Sequence, residues 1–278
     1  MTTSALGADL VRLRRTTARS AAARDLLDRA ARYDAEMGFG PPRPDRGGSS
    51  GATTVIEIDT CLHRHDVDHD DAYVLAGVLT IRDLGDGTGA ADLVVDPRRR
   101  AIGVATAVGE ELGTRAVGGG GWAGTGLHTL HAVAHGSHPA AERLARRSGV
   151  ATSAVRHHLV LPSDEPTPAD TGTPTAPDEG TAAGDAVRID VAAGTATVRH
   201  ACGDGPAEIT AVAAAPGTTG HERSAALGSV VATAVGRLRA AGAGAVEAVA
   251  ADDDEPLLEA LRRQLFEHDR SDLVFRID

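Results

Sequence analysis

Apolar and polar positions follow two rhythms along this chain, and the switches between them mark out its elements. TTVIEID (53–59) and YVLAGVLTI (73–81) are short runs rich in β-branched residues, which predicts two strands. The turn-forming LGDGTGA leads into ADLVVDP, a third strand that stops at Pro97. Helical spacing then takes over from about Ile102 to Leu112. Beyond the run Gly118–Gly121, the pattern predicts a strand over 127–134, a helix over 138–149 and a strand over 153–161. Ahead of all these, residues 5–36 read as helical, with Leu10, Val11, Leu13, Leu26, Leu27 and Ala30 among arginine and aspartate, and 39–51 reads as a loop.

The same order returns later. AVRIDVA and TATVRHA predict a hairpin, and EITAVAAAP (208–216) predicts a strand that again ends in proline. A helix follows with Leu227, Val230, Val231, Ala234, Val235 and Leu238 on one face, then the strand AVEAVAA, the helix PLLEALRRQLF and the strand DLVFRI. Pro97 and Pro216 are corresponding points of an internal duplication, whose second copy lacks the leading helical region. Between the copies, residues 163–186 are proline, threonine, glycine, alanine and acid, a composition that buries no core. The expected organisation is a first domain over 1–162, a flexible linker over 163–186 and a shortened second domain over 187–278. The fold class expected is mixed α/β.

Composition narrows the function. The 278 residues carry 39 acidic and 28 basic side chains, a net charge of −11, and every basic residue is arginine. That balance disfavours nucleic acid and anionic membranes as partners, while leaving room for a local basic site. Cys61 and Cys202 have no metal-type spacing, and no run is long and apolar enough for a membrane span or a secretory leader. A cytoplasmic monomer is expected. CLHRHDVDHDDAY (61–73) gathers histidine and aspartate in a spacing that zinc accepts. It reads instead as an acidic, solvated loop between strands, and no metal is expected. His128, His131, His135 and His138 read as strand and turn residues.

The chemistry concentrates where the third strand gives way to its helix. Arg100-Ala101-Ile102-Gly103-Val104-Ala105 fits Arg-x-x-Gly-x-Ala at a helix start. The N–H groups there lack partners and carry partial positive charge, so the place suits phosphate. Gly103 and Ala105 keep the backbone bare, and Arg100 adds charge-assisted hydrogen bonds.

Strand, proline, motif and helix in this order resemble the GNAT (Gcn5-related) acyl-coenzyme A N-acyltransferases. LHAVAHGSHPAAERLARRSGV (130–150) is similar to a segment of the mycothiol synthases, a tandem family within that group. The resemblance implies two tandem GNAT-type units, acetyl-CoA as co-substrate and a small amine as acceptor. It implies that Leu93, Val94 and Val95 pair with the pantetheine arm as an added strand would. Arg100, Ala101, Ile102, Gly103, Val104, Ala105 and Thr106 would hold the pyrophosphate. In the second copy it gives Val212, Ala213 and Ala214 as the strand edge and Glu208, eight residues before Pro216, as general base. Two features depart from the family: no Arg-x-x-Gly-x-Ala follows Pro216, and Leu261 stands where a tyrosine would protonate the thiolate. Three readings stay open on this sequence. They are acetylation of a mycothiol precursor's cysteinyl amine, acetylation of another amine by the first copy, and an acetyl-CoA-binding pseudoenzyme.

Overall fold

The computed structural model describes residues 11–39, 51–61, 69, 72–115, 119–163, 186–200 and 205–278. The chain divides into two compact units, unit 1 of residues 1–153 with 273–278 and unit 2 of residues 154–272. Most of the expected linker and of the His/Asp loop lies outside the described residues.

Unit 1 begins with β1 (Val11–Thr16), α1 (Ala21–Glu36), β2 (Thr53–Cys61), β3 (Tyr73–Gly85) and β4 (Thr88–Val95). It continues with α2 (Val104–Arg115), β5 (Thr129–Ala134) and α3 (Pro139–Arg147). The expected helix over 5–36 is therefore only partly helical. Val11 and Leu13 alternate with Arg12 and Arg14, a period of two, and β1 pairs antiparallel with β2 from Val11–Thr60 to Thr16–Val55. The helix starts at Ser20, whose Oγ accepts from the Ala23 N–H at 3.1 Å. The Ser20 N–H donates to buried Glu57 at 2.8 Å, which ties the helix start to β2.

Strands β1 to β5 lie side by side, and the last residues of the chain pair with β5 from Leu273–Ala134 to Ile277–Leu130. One face of this sheet packs α1 through Ala23, Leu26, Val55 and Val78. The other packs α2 through Val104, Val108 and Leu112 against Ile56, Ile58, Leu79 and Ile81.

Unit 2 contains most of β6 (Thr152–Leu161), then β7 (Ala186–Val191), β8 (Gly194–Arg199), β9 (Ala207–Ala214), α4 (Gly220–Ala240), β10 (Val246–Ala251), α5 (Glu255–Arg263) and the start of β11 (Glu267–Ile277). Its strand order is β11, β6, β10, β9, β8, β7. Leu227, Val230, Val231, Ala234, Val235 and Leu238 of α4 are all buried, as the helical spacing requires. With Leu257, Leu258, Leu261 and Phe266 they cover one face of the sheet. Among the described residues nothing in unit 2 corresponds to α1.

Candidate functional site

In unit 1, β4 and β5 run parallel but stay paired only from Thr88–Thr129 to Ala91–Ala132. From Asp92 onward β4 keeps its antiparallel partner β3 (Thr80–Asp92, Leu79–Leu93, Val78–Val94, Gly77–Val95) and leaves β5. A wedge opens there. Leu93 and Val95 pack toward α2 and Val94 toward α1, so the side chains fill the core. What faces the wedge is the unpaired backbone edge of β4.

The wedge leads to the motif loop. Asp96 is buried and anchors its start, accepting from the Arg98 N–H at 2.9 Å and from Arg29 Nη2 at 2.6 Å. Burial works against this carboxylate's charge, but the Arg29 and Arg98 bonds outweigh it and hold the acid below its ordinary range. Ala101 (φ 66°) and Gly103 (φ 92°) then turn the chain into α2. Gly103 accepts the first helical bond from the Ala107 N–H at 3.0 Å, which leaves the N–H groups of Val104, Ala105 and Thr106 at the helix start. A Cβ at Gly103 would meet nothing within 4 Å, so glycine serves the positive φ there rather than close packing.

Arg100 points elsewhere. Its guanidinium forms two hydrogen bonds to Asp34 of α1, its Nε donates to the Val95 carbonyl at 3.1 Å, and His138 Nε2 lies 3.4 Å away. Arg98 and Arg99, which precede it, are exposed and half-buried respectively.

Unit 2 repeats the wedge. β9 and β10 pair only from Ala207–Val246 to Ala248–Ile209, and beyond Ile209 only β8 remains, opposite Ala211, Val212, Ala213 and Ala214. A bulge falls between Thr197 and Val198, opposite the point where the wedge opens. Glu208 sits on the last paired stretch and meets Arg199 at 3.0 Å. The chain then reaches α4 by a shorter route, Ala215 to Thr219, with positive φ at Gly217 and Gly220. The expected residues thus gather in two places: 93–95 with 100–106 in unit 1, and Glu208 with 212–214 in unit 2. Leu261 is fully buried against α4, far from the role of a proton donor.

Sequence reasoning passed over two groups. His158 on β6 is buried between Glu247 (Nδ1–Oε1 2.8 Å) and Asp272 (Nε2–Oδ2 2.8 Å), with Arg270 alongside at 3.2 Å. Burial disfavours its charge, but the bonds to Asp272 and Glu247 prevail and raise it above the ordinary imidazole range. The other is Asp92, at the opening of the first wedge. The only signal for it was a charge inside the apolar run ADLVV. Among the described residues no cluster of histidine, cysteine or acid is arranged to hold a metal.

Solved structures share the fold. A GCN5-related N-acetyltransferase from Sphaerobacter thermophilus superposes with a TM-score of 0.61 at 14% identity, covering 95% of both chains. A tandem GNAT protein from the clavulanic acid biosynthesis pathway gives 0.62 at 16% identity, over 96% of this chain and 98% of its own. A putative acetyltransferase from Pyrococcus horikoshii gives 0.52 at 12% identity, over 95% and 89%. The chain has a tandem GNAT fold. No protein-family profile matches the sequence, and no curated protein does.

Proposed function

We propose that this protein is an acetyl-CoA-dependent N-acetyltransferase acting on a small amine. The observation that carries the reading is the first wedge: an unpaired strand edge at Leu93–Val95 running straight into a glycine turn and a helix start with bare N–H groups. An extended pantetheine arm needs such an edge, and a pyrophosphate needs such a helix start. In unit 2 the edge at Val212–Ala214 and Glu208 at the wedge opening support a centre where Glu208 takes the amine's proton.

The acceptor is proposed from the sequence. The likeness of residues 130–150 to the mycothiol synthases makes the cysteinyl amine of the glucosaminyl-inositol precursor the first to try. The protein is read as a cytoplasmic monomer. Incubation with acetyl-CoA, that precursor and a panel of primary amines, followed by mass spectrometry, should show one acetyl group gained by an amine. Acetyl-CoA binding in calorimetry without any acetylated product would instead favour a binding protein.

A further inference from the structure

The two copies do not carry their carboxylate in the same place. Eight residues before Pro216 stands Glu208, and eight before Pro97 stands Gly89. A Cβ at Gly89 would come within 2.6 Å of Leu127 Cδ1 and 3.1 Å of Leu130 Cδ2, so a side chain there would have to displace both leucines. Three residues further on, Asp92 is the first residue of β4 beyond the last pair with β5. It shares the α1-facing side of the sheet with Val94. Among the described residues no hydrogen bond reaches its carboxylate. Arg19, just ahead of α1, donates to Thr80 Oγ1 at 3.2 Å, and Thr80 is the register partner of Asp92. His135 follows the last residue of β5, on the opposite wall of the wedge.

We infer that the wedge of unit 1 is a second acyl-transfer centre, in which Asp92 is the general base. This rests on the proposed use of acetyl-CoA. With the pyrophosphate at the helix start, the arm lies along the edge from Val95 back to Asp92. Strand rise puts Asp92 about 13 Å from Asp96, so the thioester falls at the apex of the wedge. The amine nitrogen bonds to the thioester carbon and the carbon–sulfur bond breaks with its electron pair on sulfur. The amine's proton passes to Asp92 and on to the thiolate through water in the open wedge, which returns Asp92 to its carboxylate. No tyrosine is needed. Burial lifts the Asp92 carboxyl above the ordinary range, against the charges of His135 and Arg19, and so makes it a better proton acceptor.

The test uses the full chain with acetyl-CoA and the amine panel, first in a Glu208→Gln background. Turnover should fall there to the share carried by unit 1, and adding Asp92→Asn should lower this remaining kcat by about 10²–10⁴-fold with KM for acetyl-CoA unchanged. Asp92→Glu should recover part of it. Arg19→Gln should move the acid limb of kcat/KM to higher pH, as loss of a cation beside a titrating carboxylate demands. If Glu208→Gln alone abolishes turnover, or if Asp92→Asn stays within twofold of its background, the centre in unit 1 is overturned while the acetyltransferase reading stands. Binding of acetyl-CoA with no turnover by wild type overturns the acetyltransferase reading together with the centre. A wild type that does not bind acetyl-CoA overturns the reading itself.

Discussion

Asp34, near the end of α1, holds Arg100 of the motif loop by two parallel hydrogen bonds, with Nη2 2.8 Å from Oδ2. A bidentate pair of this kind fixes direction as well as charge. Arg100 also caps the Val95 carbonyl, so one side chain joins the end of β4, the loop and α1. Its acidic partner allows a test by sign. Loss of a carboxylate near a polyanion site strengthens binding if only charge matters. If the pair sets the shape of the loop, Asp34→Ala weakens acetyl-CoA binding instead. We expect weakening of about tenfold for Asp34→Ala, and more for Arg100→Ala, measured by calorimetry.

Asp92 should reveal itself through stability too. Its folded carboxyl binds its proton more tightly than the unfolded chain does, because burial penalises the charge. The folded state therefore loses stability as pH rises from the unfolded value near 4 through the raised folded value, and the penalty persists above it. Asp92→Asn removes the charge. Its melting temperature should exceed that of wild type at pH 7, with the gain shrinking as pH falls toward 4. A variant that is more stable yet less active is what a residue kept for chemistry produces.

The sequence carried the order of elements well because its signals were local. β-branched runs bounded by glycine and proline became β2, β3, β4 and β9, and the helical face of Leu227 to Leu238 became the buried face of α4. β1 was missed because VRLRRT is short and its arginines alternate, a pattern that sits on an edge strand as easily as on a helix face. Of the candidate site, the sequence put forward the motif loop through local spacing and Glu208 through the family resemblance. The partnership of Arg100 with Asp34 spans distant parts of the sequence, and no spacing rule links them. Asp92 became a candidate only when the register showed where β4 leaves β5.

His158 makes a pH-dependent contribution of opposite sign. Its folded pKa is raised, so the stabilisation is complete below the ordinary imidazole value near 6.5 and is lost as pH rises through the folded value. Urea unfolding should accordingly show lower stability at pH 9 than at pH 6. His158→Ala removes the imidazolium between the buried Glu247 and Asp272 and leaves Arg270 as the neighbouring cation. Breaking a buried ion pair from one side costs up to about 3–5 kcal/mol, and the variant should lose more stability at pH 6 than at pH 9. Equal losses at the two pH values would mean that the imidazole is held neutral.

Leu261 decides whether the second copy's missing acid could be restored by substitution. The family resemblance places a tyrosine at this position, and Leu261→Tyr returns a phenol to it. The side chain, however, is wholly buried among α4, α5 and the sheet of unit 2, in the same cluster as Leu227, Leu257, Leu258 and Phe266. A tyrosine there adds a ring to a filled core, which costs about 1–3 kcal/mol in strain. Its hydroxyl has no evident partner among those apolar neighbours, and leaving it unbonded costs roughly another 1–3 kcal/mol. Leu261→Tyr should therefore unfold at lower urea concentration than wild type, with no rise in turnover at 25 °C. A gain in turnover with unchanged stability would show that the C-terminal turn of α5, where Leu265 already has φ 66°, opens to bring the phenol out to the wedge.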